Sequence, residues 1–210
     1  HERLVGSEMC IRDSIVAAGG QSGIAREDLL KFAEAAAKMG VAFDITADQA
    51  GDMMAKWRTA FKMNQDEVIT LADKINYLGN TTAASAPLIS DVVTRIGPLG
   101  SIGGVASSEI AALGASMVGS GIQSEVAATG IKNLILAMVS GESATKSQAN
   151  AFAQIGLNAT DMASAMQNDA RGAILTVLKA IEQLAPEKRT AVMAVSYTHL
   201  RAHETLMNLV

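Results

Sequence analysis

The chain has 210 residues, of which 49% are hydrophobic and 3% aromatic, and a formal charge of −4. A weakly acidic balance gives no general electrostatic attraction to nucleic acid or to an anionic membrane. One Cys cannot close an intrachain disulfide, and no apolar run reaches the length of a membrane span.

The two ends carry one string of codons read in two directions. A codon choice for Leu4-Val5-Gly6-Ser7-Glu8-Met9-Cys10-Ile11-Arg12-Asp13-Ser14, reverse-complemented and shifted one frame, encodes Val195-Ser196-Tyr197-Thr198-His199-Leu200-Arg201-Ala202-His203-Glu204. The match runs outward, pairing His1-Glu2-Arg3 with Thr205-Leu206-Met207. Natural termini have no reason to be reverse complements, and the string resembles a transposon-type library adapter. Residues 1–14 and 194–210 are therefore set aside as non-native and are expected to pack only incidentally. Their removal takes away Cys10, His1, His199 and His203. No thiolate nucleophile, Ser-His-Asp arrangement or usual zinc site then remains. The insert, residues 15–193, holds 14 basic and 17 acidic residues and is read as an internal fragment of a longer reading frame.

The periodicity is helical nearly throughout. Residues 24–39 predict a helix stopped by Gly40. Thr46-Ala47-Asp48-Gln49 has capping-box spacing. It precedes a stripe of Ala50, Met53, Met54, Trp57, Ala60 and Phe61. Asn64 to Glu67 opens the next helix, whose stripe is Val68, Leu71, Ala72, Ile75 and Leu78, ended by Gly79-Asn80. A short helix follows Pro87 to Ile96. Gly97-Pro98-Leu99-Gly100 and Gly103-Gly104 are expected to break the chain, making residues 97–104 a hinge between halves at 15–96 and 105–193.

The second half predicts a helix over residues 108–118. Ser120 to Gln123 has capping-box spacing ahead of Ile122, Val126, Ile131, Leu134, Ile135 and Met138. Thr145 to Gln148 opens a helix ending near Gly156. Separate helices follow over residues 160–166 and 170–184, and Pro186 opens a last one. No strand alternation and no fixed-period repeat is present. The expected fold is all-α: a compact or bent module of about eight short helices with no sheet.

Chemistry-bearing patterns are few. Asp44, Asp48 and Asp52 recur every four residues, as oxygen ligands of a metal would. The plainer reading places Asp48 and Asp52 in first helical turns, where negative charge suits the helix dipole. The glycines of residues 97–104 lack the Lys-Ser or Lys-Thr of a phosphate loop. Gly114, Gly119 and Gly130 are candidates for close helix contact, within the chain, between copies or at a membrane. Met53, Met54, Trp57 and Phe61 are candidates for core packing or an interface. Lys188-Arg189 is read as a solvated pair. No catalytic residue, cofactor or metal site is assigned.

Four segments together resemble the core region of phage tail tape-measure proteins, nearest to those of contractile-tailed phages and their prophages. They are Ala47-Asp48-Gln49-Ala50-Gly51-Asp52-Met53-Met54-Ala55-Lys56-Trp57-Arg58, Leu71-Ala72-Asp73-Lys74-Ile75-Asn76-Tyr77-Leu78-Gly79-Asn80-Thr81-Thr82, residues 110–134, and residues 173–186 with Glu187-Lys188-Arg189. The resemblance implies a non-enzymatic structural protein of the virion tail, present in the host cytoplasm during assembly. It implies a role inside the tail tube, setting tail length, and departure from the tube at infection. The implied partners are further copies of the chain, the tail-tube protein, tail assembly chaperones and baseplate proteins, with no nucleic acid and a membrane only at infection. Two other readings remain open. One is a tail-associated cell-wall hydrolase segment working through paired carboxylates. The other is a membrane-perturbing helical segment within residues 97–130.

Overall fold

A computed structural model describes Gly20, Ile24, residues 28–185 and Lys188. The expected incidental packing of the two ends falls outside these residues. Eight α-helices span the described region: α1 Leu29–Phe43, α2 Ala47–Phe61, α3 Gln65–Thr81, α4 Ala86–Gly103, α5 Ser107–Gly119, α6 Ser124–Val139, α7 Lys146–Gln154 and α8 Ala159–Glu182. A 3-10 turn, Gly141–Ser143, precedes α7. No strand occurs among the described residues, so the fold is all-α as the periodicity predicts.

Helix starts follow the capping chemistry. Thr46 and Gln49 exchange backbone-to-side-chain hydrogen bonds of 3.0 and 3.2 Å. Asn64 and Glu67 do the same at 2.8 and 2.9 Å, and Thr145 and Gln148 at 2.9 and 3.2 Å. Each pair satisfies two backbone donors that the first helical turn leaves without partners. The helices expected over residues 160–166 and 170–184 share the single span of α8, which stops at Glu182, and Asp169 interrupts it at φ −149°, ψ 83°. The Asp169 carboxylate accepts from the Gly172 N–H at 2.9 Å and so caps the second piece.

Four expectations need correction. The first helix does not stop at Gly40 but runs to Phe43 and ends at Asp44, whose φ of 55° is left-handed. Gly40 is needed for space: a Cβ there would lie 3.1 Å from the Ile45 carbonyl oxygen and 3.2 Å from the Ala47 nitrogen. Gly79-Asn80 likewise lies inside α3, which continues to Thr81. The capping box at Ser120 to Gln123 does not form. The Ser120 hydroxyl donates instead to the Met117 carbonyl at 2.8 Å, finishing α5, and Gln123 is the N-cap of α6. Finally, residues 97–103 are not a break. They are the last two turns of α4, which ends only at Gly104 with φ 68°.

Close packing accounts for that last difference. Gly97, Gly100 and Gly103 recur every three residues along one side of α4, where neighbouring helices approach the backbone. Hypothetical Cβ atoms there would lie 2.8 Å from Ala60 Cβ, 2.7 Å from Ile110 Cδ1 and 2.5 Å from Ile135 Cγ2, touching α2, α5 and α6 in turn. Pro98 points outward between them and is exposed. Elsewhere on α4, Ile89, Val92, Val93 and Ile96 are fully buried. The helix packs against α2 and α3 on one hand and α5, α6 and α8 on the other.

Glycine substitutions should therefore sort by space rather than by helix propensity. Alanine gains about 0.5–1 kcal/mol over glycine inside a helix, whereas overpacking costs about 1–3 kcal/mol. Gly97→Ala and Gly103→Ala should each lower stability, by about 1–2 kcal/mol net. Gly130→Ala, whose Cβ would meet only the flexible Met117 Cε at 3.4 Å, should be neutral or stabilising. Urea denaturation of the three variants checks the order.

Candidate functional site

The seven packing candidates fall into two groups. Met54 and Trp57 are buried in the core on α2, with Met53 and Phe61 partly buried against it. The Trp57 indole Nε1–H donates to Thr94 Oγ1 of α4 at 2.8 Å, and Thr94 in turn donates to the Ser90 carbonyl at 2.8 Å. Phe61 lies beside the glycine side of α4, with Cε1 3.0 Å from the position a Gly100 Cβ would take. Among the glycines, Gly114 brings α5 against Val92 of α4, where a Cβ would sit 3.0 Å from Val92 Cγ1. Gly119 faces Ala83 and Ala84. Met54 borders a cleft beside α1 and α3, Phe61 one beside α3 and α5, and Gly130 a larger, more apolar groove.

That groove lies between four helices and has a volume of about 570 Å³. Helix α6 contributes Gly130, Leu134 and Ala137 at helical spacing, flanked by Leu136. Across from them stand Leu113 and Met117 of α5, Phe152 of α7 with Ile155 just beyond its end, and Val177, Leu178 and Ile181 of α8. Ser116, Asn133 and Gln148 are its polar members, and among the described residues no titratable side chain lines it. An apolar concavity between helices suits the apolar face of another helix.

Sequence reasoning gave α6 one buried stripe, and it missed the second. Of the predicted stripe, Ile131, Ile135 and Met138 face the core, whereas Ile122 and Leu134 are only partly buried and Val126 is exposed; Leu134 lines the groove together with Leu136, which lay outside that stripe. The signal was present in Leu134-Ile135-Leu136-Ala137-Met138-Val139, which is apolar all round rather than on one face. A helix of that kind is covered on more than one side.

The acidic triplet does not converge. Asp44 ends α1, Asp48 lies in the first turn of α2, and Asp52 pairs with Lys56 at 2.6 Å. Among the described residues no three His, Cys, Asp or Glu side chains are grouped to hold a metal ion. Among the same residues no helix is long and apolar enough to cross a membrane. The ionised surface is ordinary. Arg95 is held charged chiefly by its hydrogen bond to Asp91 and reaches Glu125 of α6 at 2.8 Å. Such exposed pairs contribute little to stability.

Residues 13–195 match the family model for phage-related minor tail proteins. The chain belongs to that family. It is 34% identical over 183 residues to a probable tape measure protein of Halomonas phage phiHAP-1, an alignment covering 83% of this chain and 21% of that relative. The resemblance carried by the four segments is thereby shown, and the chain spans about a fifth of that relative's length. No solved structure matches it.

Trp57 is the sole Trp of this tail protein and is 0% exposed, so its fluorescence reports the α2–α4 contact directly. Emission should be blue-shifted in the native state and move red in one step on unfolding. Trp57→Phe removes both the Thr94 hydrogen bond and part of the packed volume, and should cost about 1–3 kcal/mol by calorimetry.

Proposed function

We propose that this chain is a folded module within a tape-measure protein, contributing to tail-length control through association of helical faces. The observation that carries the reading is the 34% identity to a probable tape measure protein along 83% of the chain. The apolar, untitratable groove supports association rather than catalysis as its physical task. The hydrolase alternative draws no support from that lining. The membrane-perturbing alternative draws none from Gly97, Gly100, Gly103 and Gly114, which are engaged with Ala60, Ile110, Ile135 and Val92 inside the fold.

The tape-measure role and the folded state are separable by one deletion. As a single continuous helix, residues 24–184 would span about 240 Å at about 1.5 Å per residue. Deleting them in frame from the parent phage gene, and measuring tails by electron microscopy, should disturb assembly or shorten tails by clearly less than that span. Well-formed tails shortened by the full span would overturn the folded-module reading. Well-formed tails of unchanged length would overturn the assignment to length control.

A further inference from the structure

The cleft beside Phe61 lies where the end of α2, the first half of α3 and the start of α5 meet, and it has a volume of about 360 Å³. Ser107 and Ser108, the first residues of α5, form one wall of it. The N-cap of that helix is Ala106, which has no side-chain acceptor to offer its first turn. Glu109 takes up the Ala106 N–H at 3.2 Å. The Ser107 and Ser108 N–H groups come next, and neither has an acceptor among the described residues. Donors of a first helical turn carry the positive end of the helix dipole. A separate observation concerns the Ser107 side chain. The residue is 9% exposed, yet its hydroxyl makes no hydrogen bond among the described residues. A buried hydroxyl without a partner carries a desolvation cost that a hydrogen bond to a bound group removes.

The charged groups of the cleft divide in the same sense. Lys62, just past the end of α2, and Lys74, in the middle of α3, both line it and form no ion pair among the described residues. The acid in the lining is already engaged: the Glu67 carboxylate accepts from the Asn64 N–H at 2.8 Å. The Thr70 hydroxyl donates to the Asp66 carbonyl at 2.8 Å. What remains uncommitted is the pair of lysine ammonium groups, the serine N–H groups and the serine hydroxyls. Donors and positive charge at a helix start are the complement of an oxyanion. A phosphate group presents more acceptor oxygens than a carboxylate and so answers more of these donors. The cleft is also of the size of small-molecule sites, and Phe61 and Leu71 give it an apolar side for the rest of an organic ligand.

We propose that this cleft binds the phosphate group of a small organic phosphomonoester through the Ser107 and Ser108 N–H groups, the Ser107 hydroxyl, and Lys62 and Lys74. The site goes beyond the tape-measure reading and does not rest on it.

Calorimetric titration of the full chain with phenyl phosphate, inorganic phosphate and phenylacetate, at constant ionic strength, tests it. Phenyl phosphate should bind saturably at one site with a Kd of about 1 mM or below, and the other two more weakly. Lys62→Gln and Lys74→Gln should each weaken phenyl phosphate binding about tenfold. Lys56→Gln, which removes a lysine paired with Asp52 outside the cleft lining, should leave it unchanged. Ser107→Ala should weaken binding yet raise the melting temperature of the ligand-free protein, because it removes a buried hydroxyl that has no partner. A serine with a merely structural role would lower that temperature instead, and this result would remove Ser107 from the site. Trp57 emission confirms that each variant is folded. Absence of saturable binding, or binding that Lys62→Gln, Lys74→Gln and Ser107→Ala all leave unchanged, would overturn the proposal. Equal affinity for phenylacetate would overturn the choice of phosphate, and equal affinity for inorganic phosphate would assign the site to the free anion and overturn the phosphomonoester.

Discussion

Helix α4 can occupy the middle of the molecule only because one of its sides has almost no side chains. Gly97, Gly100 and Gly103 let Ala60, Phe61, Ile110 and Ile135 come down onto its backbone, so three helices converge on two turns. Glycine inside a helix costs about 1 kcal/mol relative to alanine and an interior proline about 3 kcal/mol. Those local costs are set against the burial of Ile89, Val92, Val93 and Ile96 on the rest of the same helix, each of which is fully excluded from water. Full burial of such side chains is worth about 1.5–3 kcal/mol each, enough to hold a helix that its own propensities would end. In a chain with so few aromatics, close backbone approach takes the place that bulky side chains take elsewhere.

The same residues explain where sequence reading succeeded and where it did not. Signals that act within one turn were legible. The reciprocal bonds at Thr46 and Gln49, at Asn64 and Glu67, and at Thr145 and Gln148 need only residues three apart, and all three form. The separation of residues 160–166 from 170–184 was legible too, and it appears as the extended backbone of Asp169. Gly40, Gly79 and the glycines of α4 were misread for one shared reason. A glycine that ends a helix and a glycine that admits a neighbour look identical along the chain, and only the partner tells them apart. For Gly79 that partner is Ala86, whose nitrogen would lie 2.8 Å from an added Cβ. The groove was missed because one stripe was sought per helix, whereas α6 carries apolar residues on two sides.

Packing also decides whether this region can lie straight as a single helix. A ruler that works by helical rise needs one unbroken helix, and this region is built to turn. Asp44 and Lys62 sit in left-handed conformations that non-glycine residues enter at a cost of about 1–2 kcal/mol, and each ends a helix and reverses the chain. Straightening them would also discard the caps at Thr46 and Asn64, worth about 1 kcal/mol each. The greater loss would be the core. Phe32, Met54, Trp57, Leu71, Ile110, Ile135 and Met166 are all at most 2% exposed, and in a lone extended helix every one of them would face water.

An extended state is therefore open to this segment only if other surfaces replace the ones it gives up. Those surfaces would have to be apolar and continuous along the helix, with room for glycine-lined stretches to lie close. The apolar face of another helix is a surface of that kind. Extension would also part Trp57 from Thr94, whose hydroxyl oxygen accepts the indole N–H at 2.8 Å only while α2 lies across α4. Extension of this region would thus give up the core and the α2–α4 contact together, and the folded module is the arrangement in which one chain keeps both.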